Sequence, residues 1–223
     1  VWRPSSGAEY SFIPSVRSSV TVEFRSPRTP DDQMNTIQPF ISELFSGSLR
    51  EIVASRLRES FISRDIPVKS SVVEYVGSAD CAGDERFAVS VMTARDQLMP
   101  ASMAVASVLS EICSKGVGAD EYLVARNAVL NGFLGSQTNE ALVLRCVSSY
   151  LYGADLASPA TKANFFSSRN MSTKAETELF NGYAVAMLSE MENPKVTWTG
   201  NEEDYDEWLW PSLFGSVTEC VSM

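Results

Sequence analysis

The chain contains no histidine among its 223 residues, and that absence decides more about its chemistry than any motif present. Without imidazole, a serine or cysteine lacks the general base of the usual Ser-His-Asp and Cys-His arrangements. H-x-x-E-H and H-E-x-x-H metal sites are removed for the same reason, since both histidines of each are ligands. The sequence also lacks a G-x-S-x-G elbow, a G-x-x-x-x-G-K-[ST] loop and a G-x-G-x-x-G fingerprint. Gly116-Val117-Gly118 reads as a helix-to-helix turn rather than a dinucleotide loop.

Carboxylates, arginines and thiols remain. Asp31 and Asp32 follow Thr29-Pro30 and read as acidic residues favoured by a helix N-terminal dipole. Glu202, Glu203, Asp204, Asp206 and Glu207 lack the spaced ligands and central glycine of a calcium loop, so a solvated acidic face is the simpler reading. Arg50, Arg56 and Arg58 could grip an anion; the exposed side of an amphipathic helix is the favoured alternative. Cys81, Cys113, Cys146 and Cys220 form no C-x-x-C pair, and their wide spacing argues against a disulfide framework or a thiolate metal site. Cys113 and Cys146 lie among apolar helical residues and read as small core side chains. Tyr205, Trp208 and Trp210 sit in an acidic tail and mark either a contact surface or a tail folded onto its own core. No residue is assigned a catalytic, cofactor-binding or metal-binding role.

These side chains need a scaffold, and the composition supplies one. A chain that is 44% hydrophobic and 21% charged fits one globular domain, alone or with a tail, large enough for a core without disulfides or metal. The net charge of -10 repels nucleic-acid phosphates and anionic membranes, so neither is an expected partner. No apolar run reaches the roughly 18 residues of a membrane span. The chain starts at Val1-Trp2 without a signal segment and reads as a processed product or an excised segment.

Residues 1–17, with Pro4 and Pro14, read as a linker, and residues 18–200 as the folded domain. Ser19–Arg25 alternates as a half-buried strand, and Thr29, Pro30 and Asp32 form a capping-box signature. A long helix follows, its stripe running from Met34 through Leu44, Leu49, Val53 and Leu57 to Phe61, with Pro39 and Gly47 expected to kink or divide it. Val72–Val76 and Phe87–Val91 predict two strands, then helices are predicted over Met103–Lys115, Asp120–Leu134 and Asn139–Tyr152. After a Ser/Ala/Asn-rich stretch, Thr173 and Glu176 suggest a capping box, and Val196-Thr197-Trp198 a closing strand. Residues 201–223 form the acidic, aromatic tail or a second linker. This order predicts an α+β domain with a mainly antiparallel sheet and helices packed on one face.

In that order the chain resembles the non-catalytic second domain of pitrilysin/insulysin-type zinc peptidases, the inverzincins. The resemblance rests on Arg56-Leu57 ending the long helix, on Ile66-Pro67, and on the turn and helix Gly116-Val117-Gly118-Ala119-Asp120-Glu121-Tyr122-Leu123-Val124-Ala125-Arg126. The later capped helix and Val196–Gly200 complete it, over roughly residues 18–200. It implies the fold shared by LuxS and pitrilysin-like peptidases, and a role walling a peptide-enclosing chamber beside the catalytic domain of the same parent protein. Zinc and hydrolysis would belong to that neighbour, and peptide would meet this chain only indirectly. A non-peptidase structural subunit retaining the fold, or an independent peptide- or glycan-binding module, are the alternatives. Export to a periplasm is known among bacterial relatives, while the residues themselves assign no compartment. The departures are specific: nothing matches H-x-x-E-H or its distant glutamate, Asp65 stands where an R-x6-Y pattern from Arg58 needs tyrosine, and Gly118 replaces the threonine expected to cap the helix.

Overall fold

A computed structural model describes residues 9–135, 138–168, 171–190 and 194–204. Five strands form one sheet: β1 (Glu9–Pro14), β2 (Ser18–Ser26), β3 (Val68–Val76), β4 (Glu85–Thr93) and β5 (Lys195–Gly200), in the spatial order β1-β5-β2-β4-β3. Among the described residues, six α-helices connect them: α1 (Ile37–Ser63), α2 (Leu98–Lys115), α3 (Ala119–Gly135), α4 (Asn139–Tyr152), α5 (Pro159–Ser168) and α6 (Thr173–Val185). The fold is α+β. Three strand pairings are antiparallel, and β1 joins β5 in parallel.

Alternation in β2 sets the layers. Val20, Val22 and Phe24 point to one side and pair in register with Val91, Val89 and Phe87 of β4, while Trp198 and Val196 of β5 flank Val20 and Val22 from the other side. All eight are fully or almost fully buried. The helices pack over this face, led by Leu49, Val53 and Leu57 of α1 and Val105, Leu109 and Ile112 of α2. The opposite face carries hydroxyls that pair across strands: Ser11 with Thr197 at 3.0 Å, Ser19 with Thr199 at 2.8 Å and Thr21 with Ser90 at 3.1 Å.

Local chemistry departs from the sequence reading at several points. Part of the stretch read as a linker is β1, whose Glu9–Pro14 runs beside Lys195–Gly200, with Tyr10 stacked on Trp198 at 5.9 Å. Its partner lies almost the whole chain away, so no hairpin signal announces it. Helix α1 starts at the Thr36 cap, whose hydroxyl accepts from Gln38 N–H at 3.2 Å, and not at Thr29. The helix is continuous. Pro39 falls in its first turn, where the missing N–H has no intrahelical partner to lose. Gly47 serves close packing, since a Cβ there would meet Val129 of α3 at 3.0 Å. Helix α6 is capped by Ser172, not Thr173. The Ser/Ala/Asn-rich stretch contains α5, opened by Ser158 accepting from Thr161 N–H at 3.1 Å and burying Ala163 and Phe166.

Helix α4 differs from the rest. Thr138 caps it and Gly153, at φ 71°, closes it in the left-handed conformation, yet it contributes no buried side chain. No described helix is long and apolar enough to cross a membrane. Replacing fully buried Leu49 with alanine is expected to cost about 3 kcal/mol of unfolding free energy, read from the shift of the urea midpoint.

Candidate functional site

The three arginines of α1 do not converge on an anion. Arg50 and Arg58 are exposed, and Arg50 pairs with its neighbour Glu51 at 3.1 Å. Arg56 turns inward. Its Nε and a terminal nitrogen donate to the two carboxylate oxygens of Glu121, each at 2.8 Å, and the same terminal nitrogen donates to the Gly116 carbonyl at 3.2 Å. Arginine suits this task because its planar fork matches a carboxylate two bonds at a time. The ion pair and its hydrogen bond hold the Arg56 guanidinium above its ordinary range against the opposing effect of burial. The two segments that carry the family resemblance, Arg56-Leu57 and Gly116–Arg126, are thus bonded to each other.

The rest of the α2–α3 turn is held as firmly. Gly116 has φ 71°, a conformation glycine takes readily. Asn181 of α6 packs against it and brackets Val117, accepting from its N–H at 2.8 Å and donating to its carbonyl at 3.1 Å. One turn into α3, Tyr122 OH and Arg126 Nε both donate to Glu176 of α6, at 2.9 and 2.8 Å, and Arg126 also donates to the Phe166 carbonyl at 3.1 Å. Glu176 therefore ties α6 to α3 instead of closing a capping box, and Arg126 extends the link to α5.

A second polar cluster lies where β3 and β4 meet. Glu85 is 9% exposed. Its carboxylate accepts from Thr29 at 2.9 Å, from Tyr75 at 2.7 Å and from Ser78. Thr29 N–H in turn donates to Ser78 Oγ at 2.7 Å, so the residue read as a helix cap anchors the segment after β2. Behind Tyr75, Ser46 of α1 lies 2.5 Å from Tyr183 of α6. Burial pushes the Tyr75 and Tyr183 hydroxyls well above the ordinary tyrosine range, and the nearby Glu85 charge adds to it.

This cluster floors a cleft of about 400 Å³, walled by α1, the α4–α5 connection and the β3–β4 turn. Lys162 lies in its wall, 2.7 Å from Glu43 and 3.2 Å from Asp155, with the Phe40 ring 4.8 Å away. Burial alone would lower its ammonium; the two carboxylates outweigh that and hold it raised. Arg145 donates to the Ala157 carbonyl at 3.1 Å. Most of the cleft's polar groups bond to one another: the Thr29, Tyr75 and Ser78 hydroxyls all donate to Glu85, and Lys162 is held between Glu43 and Asp155.

The donors do not fit a zinc ion. The chain has no imidazole, and among the described residues no three cysteine or carboxylate side chains gather. Glu85, the most enclosed carboxylate among the described residues, is occupied by hydroxyl donors. Asp31 pairs with Arg28, and Glu203 lies 3.5 Å from Arg95. Cys113 is partly buried and Cys146 is exposed, so Cys146 is not the core residue its apolar neighbours suggested. Tyr205, Trp208, Trp210 and Cys220 lie outside the described residues.

Two measurements test these networks. Arg56→Ala is expected to cost about 2 kcal/mol in urea unfolding, its side chain being 18% exposed and that of Glu121 36% exposed, whereas Arg58→Ala changes stability by less than about 0.5 kcal/mol. Tyr122 is raised as well, by burial and then by Glu176. The unfolded chain releases tyrosine protons near the ordinary value of 10.0, while the folded chain keeps those of Tyr75, Tyr122 and Tyr183. The contribution of these three groups is therefore fully present below about pH 10 and is lost above it, by about 1.4 kcal/mol per pH unit for each retained proton, as urea midpoints across pH 8–11 would record.

No protein-family model and no curated protein matches the sequence. Solved structures do match. The first half of the periplasmic protease PqqL from Escherichia coli superposes with a TM-score of 0.73 at 15% identity, over 96% of this chain and 47% of that one. The peptidase M16 inactive domain from Pseudomonas fluorescens gives 0.59 at 11%, over 89% and 44%. A chain of complex III2 from Candida albicans gives 0.58 at 8%, over 95% and 49%. The chain spans about half the length of each of these. Its fold is the one these chains share, among them a periplasmic protease and a peptidase M16 domain described as inactive.

Proposed function

We propose that this chain is a non-catalytic partner domain of a zinc metalloendopeptidase, walling a peptide-enclosing chamber while a neighbouring domain carries zinc and hydrolysis. The observation that carries this reading is the pairing of an M16-type fold with a chain that has no histidine at all. A fold of this kind without imidazole retains shape and rigidity but not the ligands for the family's metal. The interior agrees: Arg56, Arg126, Glu176 and Glu85 are engaged in bonds that fix helices to one another and to the sheet. The matched PqqL chain has about as much length again outside the superposed part, room for a catalytic neighbour.

A second reading is a structural subunit of an assembly without peptidase activity, favoured by the likeness to the complex III2 chain. The intact mass of the native gene product, with metal content and peptidase activity measured on the same sample, separates the two. A much larger, zinc-containing species that cleaves peptides is expected. A species of about 24.4 kDa without zinc would overturn the peptidase reading.

A further inference from the structure

Helix α4 has its amphipathic pattern reversed. At 100° per residue, Leu142, Val143, Leu144, Val147, Tyr150 and Leu151 occupy one broad arc, and each is 45–89% exposed. Cys146 falls within the same arc and is exposed. The opposite side, toward the domain, carries Ala141, Arg145 and Ser148, which line the cleft. Leu156, just past the helix, adds a further exposed apolar side chain. An uncapped or fraying segment could carry such a pattern by accident, but α4 is closed at both ends by Thr138 and Gly153. A helix of 14 residues, about 21 Å long, presents a continuous apolar strip, larger than singly scattered surface residues explain.

We infer that the outer face of α4 is the surface on which an adjoining domain of the same polypeptide seats an apolar face of its own. The inference rests on the reading that this chain is one domain of a larger protein. Charge narrows the occupant. The arc's only ionisable carboxylate is Glu140 in the first turn, and Arg145 faces inward, so the contacting surface must be apolar and uncharged. A second copy is disfavoured because each copy carries a net charge of -10. The length of matched chain beyond this fold, more than half of the PqqL first-half chain, supplies a covalently tethered alternative at high effective concentration.

Cys146 serves as the reporter. The native gene product and the 223-residue chain are treated with N-ethylmaleimide, and the rate at Cys146 is read by peptide mapping. The expected result is rapid reaction in the 223-residue chain and reaction slowed at least about tenfold in the native product. Val147→Glu with Leu151→Glu should abolish that protection in the native product while leaving the melting temperature of the 223-residue chain unchanged. Equal rates in both proteins would overturn the inference, whatever the zinc content. So would protection in the 223-residue chain itself, whether it fades on dilution of a sedimenting dimer or persists in a monomer covered by its own segment. A native product of this chain's own size would overturn the domain reading first, and the inference with it.

Discussion

The fork between Arg56 and Glu121 is the constraint around which the helical layer is arranged. It joins the last turns of α1 to the first turn of α3, and through the Gly116 carbonyl it reaches the turn between α2 and α3. Asn181 and Glu176 then bring α6 onto the same turn. Partly buried charges are costly unless every donor and acceptor is met, so the geometry admits few alternatives. The apolar core tolerates some sliding; this polar clamp does not.

The sheet layer was largely legible in the sequence because its signal is local. Val20, Val22 and Phe24 alternate with polar residues, and the same period returns in Phe87, Val89 and Val91. The α1 stripe was equally clear. The errors occur where the deciding partner lies far along the chain. Thr29 has the chemistry of a cap, but its hydroxyl meets Glu85, and Glu176 has the spacing of a capping box but meets Tyr122 and Arg126. Gly47 reads as a helix breaker until Val129 is seen against it. The Glu85 cluster had no sequence signal, since Thr, Tyr and Ser hydroxyls are too common to point to one carboxylate.

The distribution of chemistry follows from the same economy. The side chains with acid–base or anion-binding capacity that lie inside the domain are engaged with each other, and the hydroxyls on the outer sheet face pair across strands. Its arginines and carboxylates act as fasteners between helices and between helix and sheet.

The position of β5 has a consequence for biosynthesis. Residues 195–200 lie between β1 and β2, so the sheet stays split until almost the whole domain has emerged from the ribosome. Until then, the inner strand β2 has an open edge on one side, and β1 has no partner in the sheet. Such long-range closure is slow, because a loop spanning nearly the full chain must shut before its contacts repay it. The emerging domain thus carries unsatisfied strand edges until residues 195–200 are in place, the stage at which holding chaperones matter most.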